Sequence, residues 1–343
     1  MKILVIKPSS LGDVIHSMAF LKVLKDLYPG ASVSWVISKN LKGLLEGHPL
    51  IDELIIFDKD RWQKIKNLYK TAHEIAPFIR QLRSKPYDIV IDLQGLLRSG
   101  VITFFARSPV KIGFYAAREG SRYFYNHRVR TDRIIHAVDR YIEVVRYLAR
   151  YRETKDNIEL HSLLPFPLPV DKKAALAIKQ DLPNPYAAIA FSARWNTKIW
   201  PSEYFASTIA ELPIESVLIG GKPDKPLANE IMAYSKNRGI DYTGRTGLKE
   251  LIAIIAGAKV VISNDSGPVH IAAALGTPLV AIYGPTAPEK TGPYGWDYPQ
   301  SQCTVLRASV RCSPCFKRKC PTELECMKSI FPQTVLESIK EYL

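Results

Sequence analysis

A chain of 343 residues is too long for one ordinary hydrophobic core, so two domains are the expectation. Its 47% hydrophobic content is that of a globular protein and excludes a largely disordered chain. A formal net charge of +14 calls for an anionic partner: nucleic acid, a phospholipid surface or a phosphorylated substrate.

The chain opens MKILVIKPSSLGD, an apolar run too short and too interrupted for a secretory leader, which predicts a cytosolic protein. Residues 2–7 read as a buried strand and 8–12 as a loop. From Asp13 the apolar residues Val14, Met18, Leu21, Leu24 and Leu27 recur at helical spacing, and Pro29-Gly30 ends that helix. SVSWVIS is a strand, residues 41–46 a short helix and DELIIFD a strand. A helical stretch over 61–84 and the strand DIVIDLQG follow. Such alternation predicts a parallel sheet with helices on both faces.

The N-terminal half concentrates the positive charge. Lys59, Arg61, Lys64, Lys66 and Lys70 form one cluster, and eight Arg and Lys residues between 98 and 133 form another. Phe114, Tyr115, Tyr123, Phe124 and Tyr125 interleave with the second, which favours a binding face over a merely solvated one.

At 163–170 the chain reads LLPFPLPV, whose alternating prolines forbid a helix and make a stiff connector. The predicted division is therefore 1–165, 166–330 and a final amphipathic helix within 331–343, which is expected to pack back on the N-terminal domain. The β/α pattern restarts after the connector. Strands are predicted at 187–191, 216–221, 259–263 and 279–283, with helices at 202–211, 227–235, 248–256 and 268–275. The most apolar stretch, 269–282, is broken by Gly276 and Pro278 and is too short to cross a bilayer.

Ligands of such sheets sit beyond the carboxyl ends of the strands, so the turns there carry the functional readings. In SNDSGPVH, residues 263–270, the turn ends a strand and Pro268 suits the first turn of a helix. Ser266 or Gly267 caps that helix, whose free N–H groups favour a phosphate. The next strand ends at Tyr283, so Gly284-Pro285-Thr286 emerges at the same edge and faces the same ligand. In the first domain the matching element is Pro8-Ser9-Ser10-Leu11-Gly12-Asp13, which is neither a Walker loop nor GxGxxG. Asp13 reads equally as an acid favoured at a helix start and as a general base. Lys198 reads as a phosphate or sugar contact or as a solvated lysine, and Asp224 as a ribose contact.

All five cysteines fall between 303 and 326. Cys312, Cys315, Cys320 and Cys326 follow C-x2-C-x4-C-x5-C, which suits a metal or an iron–sulfur cluster, or equally a set of buried thiols in a folded loop. None lies in a nucleotide-loop motif, so no metal is expected to serve catalysis.

The stretches KPSSLGDVIHS and SNDSGPVHIAAALGTPLVAIYGPT resemble the N-terminal and nucleotide motifs of glycosyltransferase family nine, the bacterial lipopolysaccharide heptosyltransferases. The resemblance covers nearly the whole chain. DRWQK, IDLQGLLRS, AAREG with YFYNHR, and HAVDRY look most like heptosyltransferase I, whereas the Cys-rich tail looks like heptosyltransferase II relatives. The resemblance implies a GT-B fold, an α/β architecture of two Rossmann-like parallel-sheet domains facing a central cleft. Acceptor would bind the first and nucleotide sugar the second. It implies an inverting enzyme moving L-glycero-D-manno-heptose from ADP-heptose to Kdo of Kdo-lipid A, or to a later inner-core position. It further implies a cytoplasmic monomer, peripheral to the inner membrane, with no required cofactor and no nucleic-acid partner. Asp13 would be the base. Ser10, Gly12, Arg61, Gln94 and Arg118 would contact acceptor. Lys198, Asp224, Asp265, Ser266, Gly267, His270, Gly284 and Thr286 would lie on the donor side, His270 either behind the ligand or in the core.

The chemistry is coherent on physical grounds. Sugar transfer needs a base for the incoming hydroxyl and positive groups for the departing diphosphate, which a helix N-terminus and a lysine supply. Attack from the face opposite the leaving group inverts the anomeric centre. A non-catalytic nucleotide-sugar or anionic-lipid binding protein is the reading from a different class. No nucleic-acid module is recognisable.

Overall fold

The computed structural model describes residues 1–58, 68–132, 135–151, 164 and 166–343, with backbone alone over 68–74. The chain divides into two compact units, Met1–Pro169 and Val170–Leu343, and the division falls inside the proline-alternating stretch.

The first unit runs β1 (Lys2–Ile6), α1 (Leu11–Leu27), β2 (Ser32–Ser38), α2 (Lys42–Leu45), β3 (Glu53–Phe57), α3 (Leu68–Arg83), β4 (Ile89–Asp92), α4 (Leu97–Phe105), β5 (Val110–Phe114), β6 (His127–Val129) and α5 (Ala137–Tyr151). Its strands form a parallel sheet in the order β3-β2-β1-β4-β5-β6. The central register sets Val5 between Trp35 and Ile91. Ile3, Leu4, Val5 and Ile6 are fully buried, because helices cover both faces and leave no alternation to read.

The second unit runs α6 (Lys172–Asp181), β7 (Tyr186–Ala190), α7 (Ser202–Glu211), β8 (Glu215–Leu218), α8 (Lys225–Tyr234), β9 (Ile240–Asp241), α9 (Leu248–Gly257), β10 (Val260–Asn264), α10 (Gly267–Leu275), β11 (Leu279–Tyr283), α11 (Pro288–Thr291), β12 (Cys303–Arg307), α12 (Glu325–Lys328) and α13 (Pro332–Ile339). Its parallel sheet has the order β12-β11-β10-β7-β8-β9, the same topology repeated. In both sheets the order reverses once, between β1 and β4 and between β7 and β10. Doubly wound sheets bind ligands at that reversal, beyond the carboxyl ends of the strands.

Several elements depart from the sequence expectation. Helix α1 begins at Leu11, two residues early, because Ser10 is its extended N-cap. Strands β5, β6, β9 and β12 and helices α4, α5, α6, α11 and α12 were not foreseen. The final helix was expected as a separate segment on the N-terminal domain. Instead, Val335 and Ile339 of α13 are fully buried in the second unit's core with Trp200, Phe205 and Met327. No helix among the described residues is long and apolar enough to cross a membrane.

Candidate active site

At the first unit's reversal, the segment between β1 and α1 is tied to both neighbours of β1. Pro8 O accepts the Ser38 N–H at 3.1 Å and its hydroxyl at 2.6 Å, which pins the loop to the end of β2. On the other side the Ser9 N–H donates to Gln94 Oε1 at 3.2 Å. Gln94 is itself set by Asp92, fully buried at the end of β4, whose Oδ1 accepts the Gln94 and Gly95 N–H groups at 2.8 and 3.0 Å. Tyr125 donates to Asp92 Oδ2 at 2.6 Å, and its ring lies on Gly113, where a Cβ would stand 2.3 Å from Cε2. Burial pushes Asp92 above the usual carboxylate range against these hydrogen bonds. Gly95 takes φ +66°, a left-handed conformation natural to glycine, and its carbonyl accepts the Arg118 N–H at 2.9 Å. Ser10, Gly12, Asp13, Gln94 and the exposed Arg118 thus share one sheet edge. Arg61 lies outside the described residues.

Asp13 is the third residue of α1. Its Oδ2 accepts the Ser10 N–H at 3.1 Å and the Ser10 hydroxyl at 2.7 Å, the acidic half of a capping box. Its Oδ1 stands 3.9 Å from Lys7 Nζ. The Lys7 side chain is buried, whereas that of Asp13 keeps 34% exposure and so remains reachable from solvent. Burial tends to raise the Asp13 pKa, but the Lys7 ammonium and then the two Ser10 hydrogen bonds hold it well below the usual carboxylate range. Lys7, over the Tyr141 ring at 5.4 Å, was missed in the sequence. Its signal was a lone charge closing an apolar strand.

At the second unit's reversal, Asn264 ends β10 fully buried. Its Nδ2 donates to Phe191 O at 2.6 Å and its Oδ1 accepts the Trp200 N–H at 3.1 Å. Those two bonds hold the segment after β7 beside the end of β10. Lys198 Nζ consequently meets Asp265 Oδ2 at 2.5 Å, and Thr286 donates to the same oxygen at 2.5 Å. The Lys198 and Asp265 side chains are 18% and 7% exposed. Lys198 also lies over the Trp195 ring at 4.8 Å. Ser266 is the extended N-cap of α10, with Gly267 and Pro268 in its first turn. Gly276, at φ +70°, closes that helix as expected. The edge therefore presents one ammonium and the free N–H end of a helix, an arrangement suited to a diphosphate.

The remaining expected donor residues lie apart from the Lys198–Asp265–Thr286 cluster or behind it. Asp224 accepts from the Ser192 hydroxyl at 2.9 Å and the Gly221 N–H at 2.7 Å, next to β7 and β8. His270 is buried on α10. Gly284 proves to be a packing position, because a Cβ there would stand 2.3 Å from Met327 Sδ and 3.0 Å from Cys326 Sγ. Gly284→Ala is expected to destabilise the second unit by about 1–3 kcal/mol through overpacking, seen as a lowered Tm in calorimetry. No cysteine lies in a nucleotide-loop motif, yet the Cys-rich tail bonds to those loops. The Ser313 hydroxyl donates to Gly284 O, the Phe316 N–H to Pro285 O, and Thr197 to Lys317 O, at 2.6, 2.8 and 2.9 Å.

Two Rossmann-like units, one with a reachable carboxylate and one with a phosphate-suited edge, define a nucleotide-sugar glycosyltransferase of the GT-B class. The profile of glycosyltransferase family 9 (heptosyltransferase) matches residues 75–325, and the chain belongs to that family. It is similar to lipopolysaccharide heptosyltransferase 1 of Pseudomonas aeruginosa, at 31% identity over 94% of this chain and 89% of that one. It is also 31% identical to lipopolysaccharide heptosyltransferase 2 of Salmonella typhimurium, over 85% of each chain. Among solved structures, E. coli heptosyltransferase WaaC with ADP superimposes with a TM-score of 0.80 at 26% identity, covering 100% of both chains. The GT-B fold and glycosyltransferase activity expected from the sequence hold, and the non-catalytic binding protein is set aside.

Proposed function

We propose that the protein transfers L-glycero-D-manno-heptose from ADP-heptose to the Kdo of Kdo-lipid A, with inversion, at the cytosolic face of the inner membrane. The observation that carries this reading is Asp13. It is an ionised, solvent-reachable carboxylate at the reversal of a sheet whose surrounding segments carry an excess of arginine and lysine. Ser10, Gly12, Gln94, Arg118 and Arg61 lie in the segments assigned to the acceptor. A phosphorylated lipid and an acidic sugar account for the positive charge of the first unit without nucleic acid. On the second unit, Lys198 and the α10 N-terminus would take the diphosphate, with Ser266 and Gly267 at that helix start. Asp265 and Thr286 would fix Lys198, while Asp224 and His270 would act at greater remove. In this reading the chain's own residues would supply both the charge stabilisation and the base, and the proposed step is written without a cofactor.

Relatives of both kinds support a second reading, addition of the second heptose. Mass spectrometry of the acceptor distinguishes the two. Incubation with ADP-heptose is expected to add one heptose mass to Kdo-lipid A. Gain only on an acceptor already carrying heptose would move the assignment to the second position, and gain on neither would overturn both.

A further inference from the structure

The four cysteines Cys312, Cys315, Cys320 and Cys326, which the proposed transfer does not use, come together in the fold. They line one cavity of about 50 Å³ beneath the segment 308–324, with Thr197, Pro285, Lys317 and Glu325 also on its walls. Cys303, on β12, is not among its lining residues.

The segment itself is unusual. Residues 308–324 contain neither helix nor strand, a length that compact domains seldom leave irregular unless something holds it. No disulfide holds it, since all five cysteines are free.

We propose that Cys312, Cys315, Cys320 and Cys326 bind one thiophilic divalent metal ion of the zinc or ferrous type as a closed structural site. Four sulfur ligands and no open position suit a structural rather than a catalytic ion. As placed, no group of three or more His, Cys, Asp and Glu among the described residues could hold a metal ion, so the proposed site requires the four thiols to move inward on binding. Binding releases their protons. Through Ser313, Phe316 and Lys317 the closed loop would brace the turns that carry Thr286 and Lys198.

Titration of the chelator-treated full chain with Co²⁺, under a non-thiol reductant, tests this directly. One equivalent is expected to develop a sulfur-to-cobalt charge-transfer band that Zn²⁺ abolishes. Cys303→Ser should keep the band at full amplitude. Cys312→Ser and Cys315→Ser, at an exposed and a half-buried position, should each weaken Co²⁺ affinity at least tenfold. Absence of the band in the unmodified chain would overturn the site, as would its survival at full affinity in the Cys312→Ser/Cys315→Ser double variant. The readout needs no substrate, so its failure is separable from failure of the proposed transfer.

Discussion

Asp13→Asn is expected to lower kcat by about 10²- to 10⁴-fold while leaving the Kd for ADP within about twofold, since a positioned base contributes on that scale and the edge proposed for the nucleotide belongs to the other unit. The substitution keeps a carbonyl oxygen for the Ser10 N–H and hydroxyl, so the start of α1 should persist. It removes only the charge and the proton-accepting capacity. Equal losses in kcat and in ADP affinity would point to a folding defect instead and would sink the base assignment.

The pH dependence sharpens this. The folded pKa of Asp13 is depressed, with Lys7 opposing the effect of burial. A depressed carboxylate contributes stability above its unfolded pKa, near 3.9, and that contribution is lost as pH falls through the lower folded value. Asp13 is therefore ionised throughout the neutral range, and kcat/KM should show no acid limb from it between about pH 5 and 8. Such a carboxylate is also a poor proton sink. With Asp13 as the proposed base, the acceptor hydroxyl would give up its proton late, once the glycosidic bond is well broken. The work of the proposed step would then fall on stabilising the departing diphosphate. An acid limb near pH 6 that vanishes in Asp13→Asn would contradict this account.

The sequence made the β/α alternation legible because both sheets are buried on two faces and their central strands read as continuous apolar runs. The strands it hid are edge or near-edge ones. His127, Arg128 and Val129 of β6 pass from half-buried to exposed to buried, and their charge reads as a binding patch rather than a ladder. Gly113 in β5 looks like a strand breaker until the Tyr125 ring is seen lying on it. The turns at the two reversals were legible from Gly, Pro and hydroxyl residues at strand ends. Their cross-links were not. Asn264 with Trp200, and Asp92 with Tyr125, join residues far apart in the chain, and nothing local in the sequence signals which partner a buried amide or carboxylate will find. Gly284 misled for a related reason, since a glycine after a strand looks the same whether a ligand or Met327 occupies the space above it.

The pairing of Lys198 with Asp265 leads to the second large effect. Lys198→Met should cost about 3–5 kcal/mol of stability, because it leaves a carboxylate only 7% exposed without its cation. It should also weaken ADP binding about 10- to 100-fold, the scale of one charged hydrogen bond. Adding Asp265→Asn removes the stranded charge while keeping an acceptor for the Thr286 hydroxyl, so stability should return most of the way. ADP affinity should stay low, since the ammonium is still missing. The double-mutant cycle thus separates two roles that any single substitution confounds. On the proposed reading the two residues are strongly coupled in stability, whereas for the nucleotide Lys198 would act as the contact and Asp265 as the group that places it. If the double variant melts as low as Lys198→Met, the ion pair is not what makes Lys198 structurally necessary. If it recovers ADP affinity, the phosphate contact lies elsewhere on the edge, and the N-terminus of α10 would have to carry the diphosphate alone.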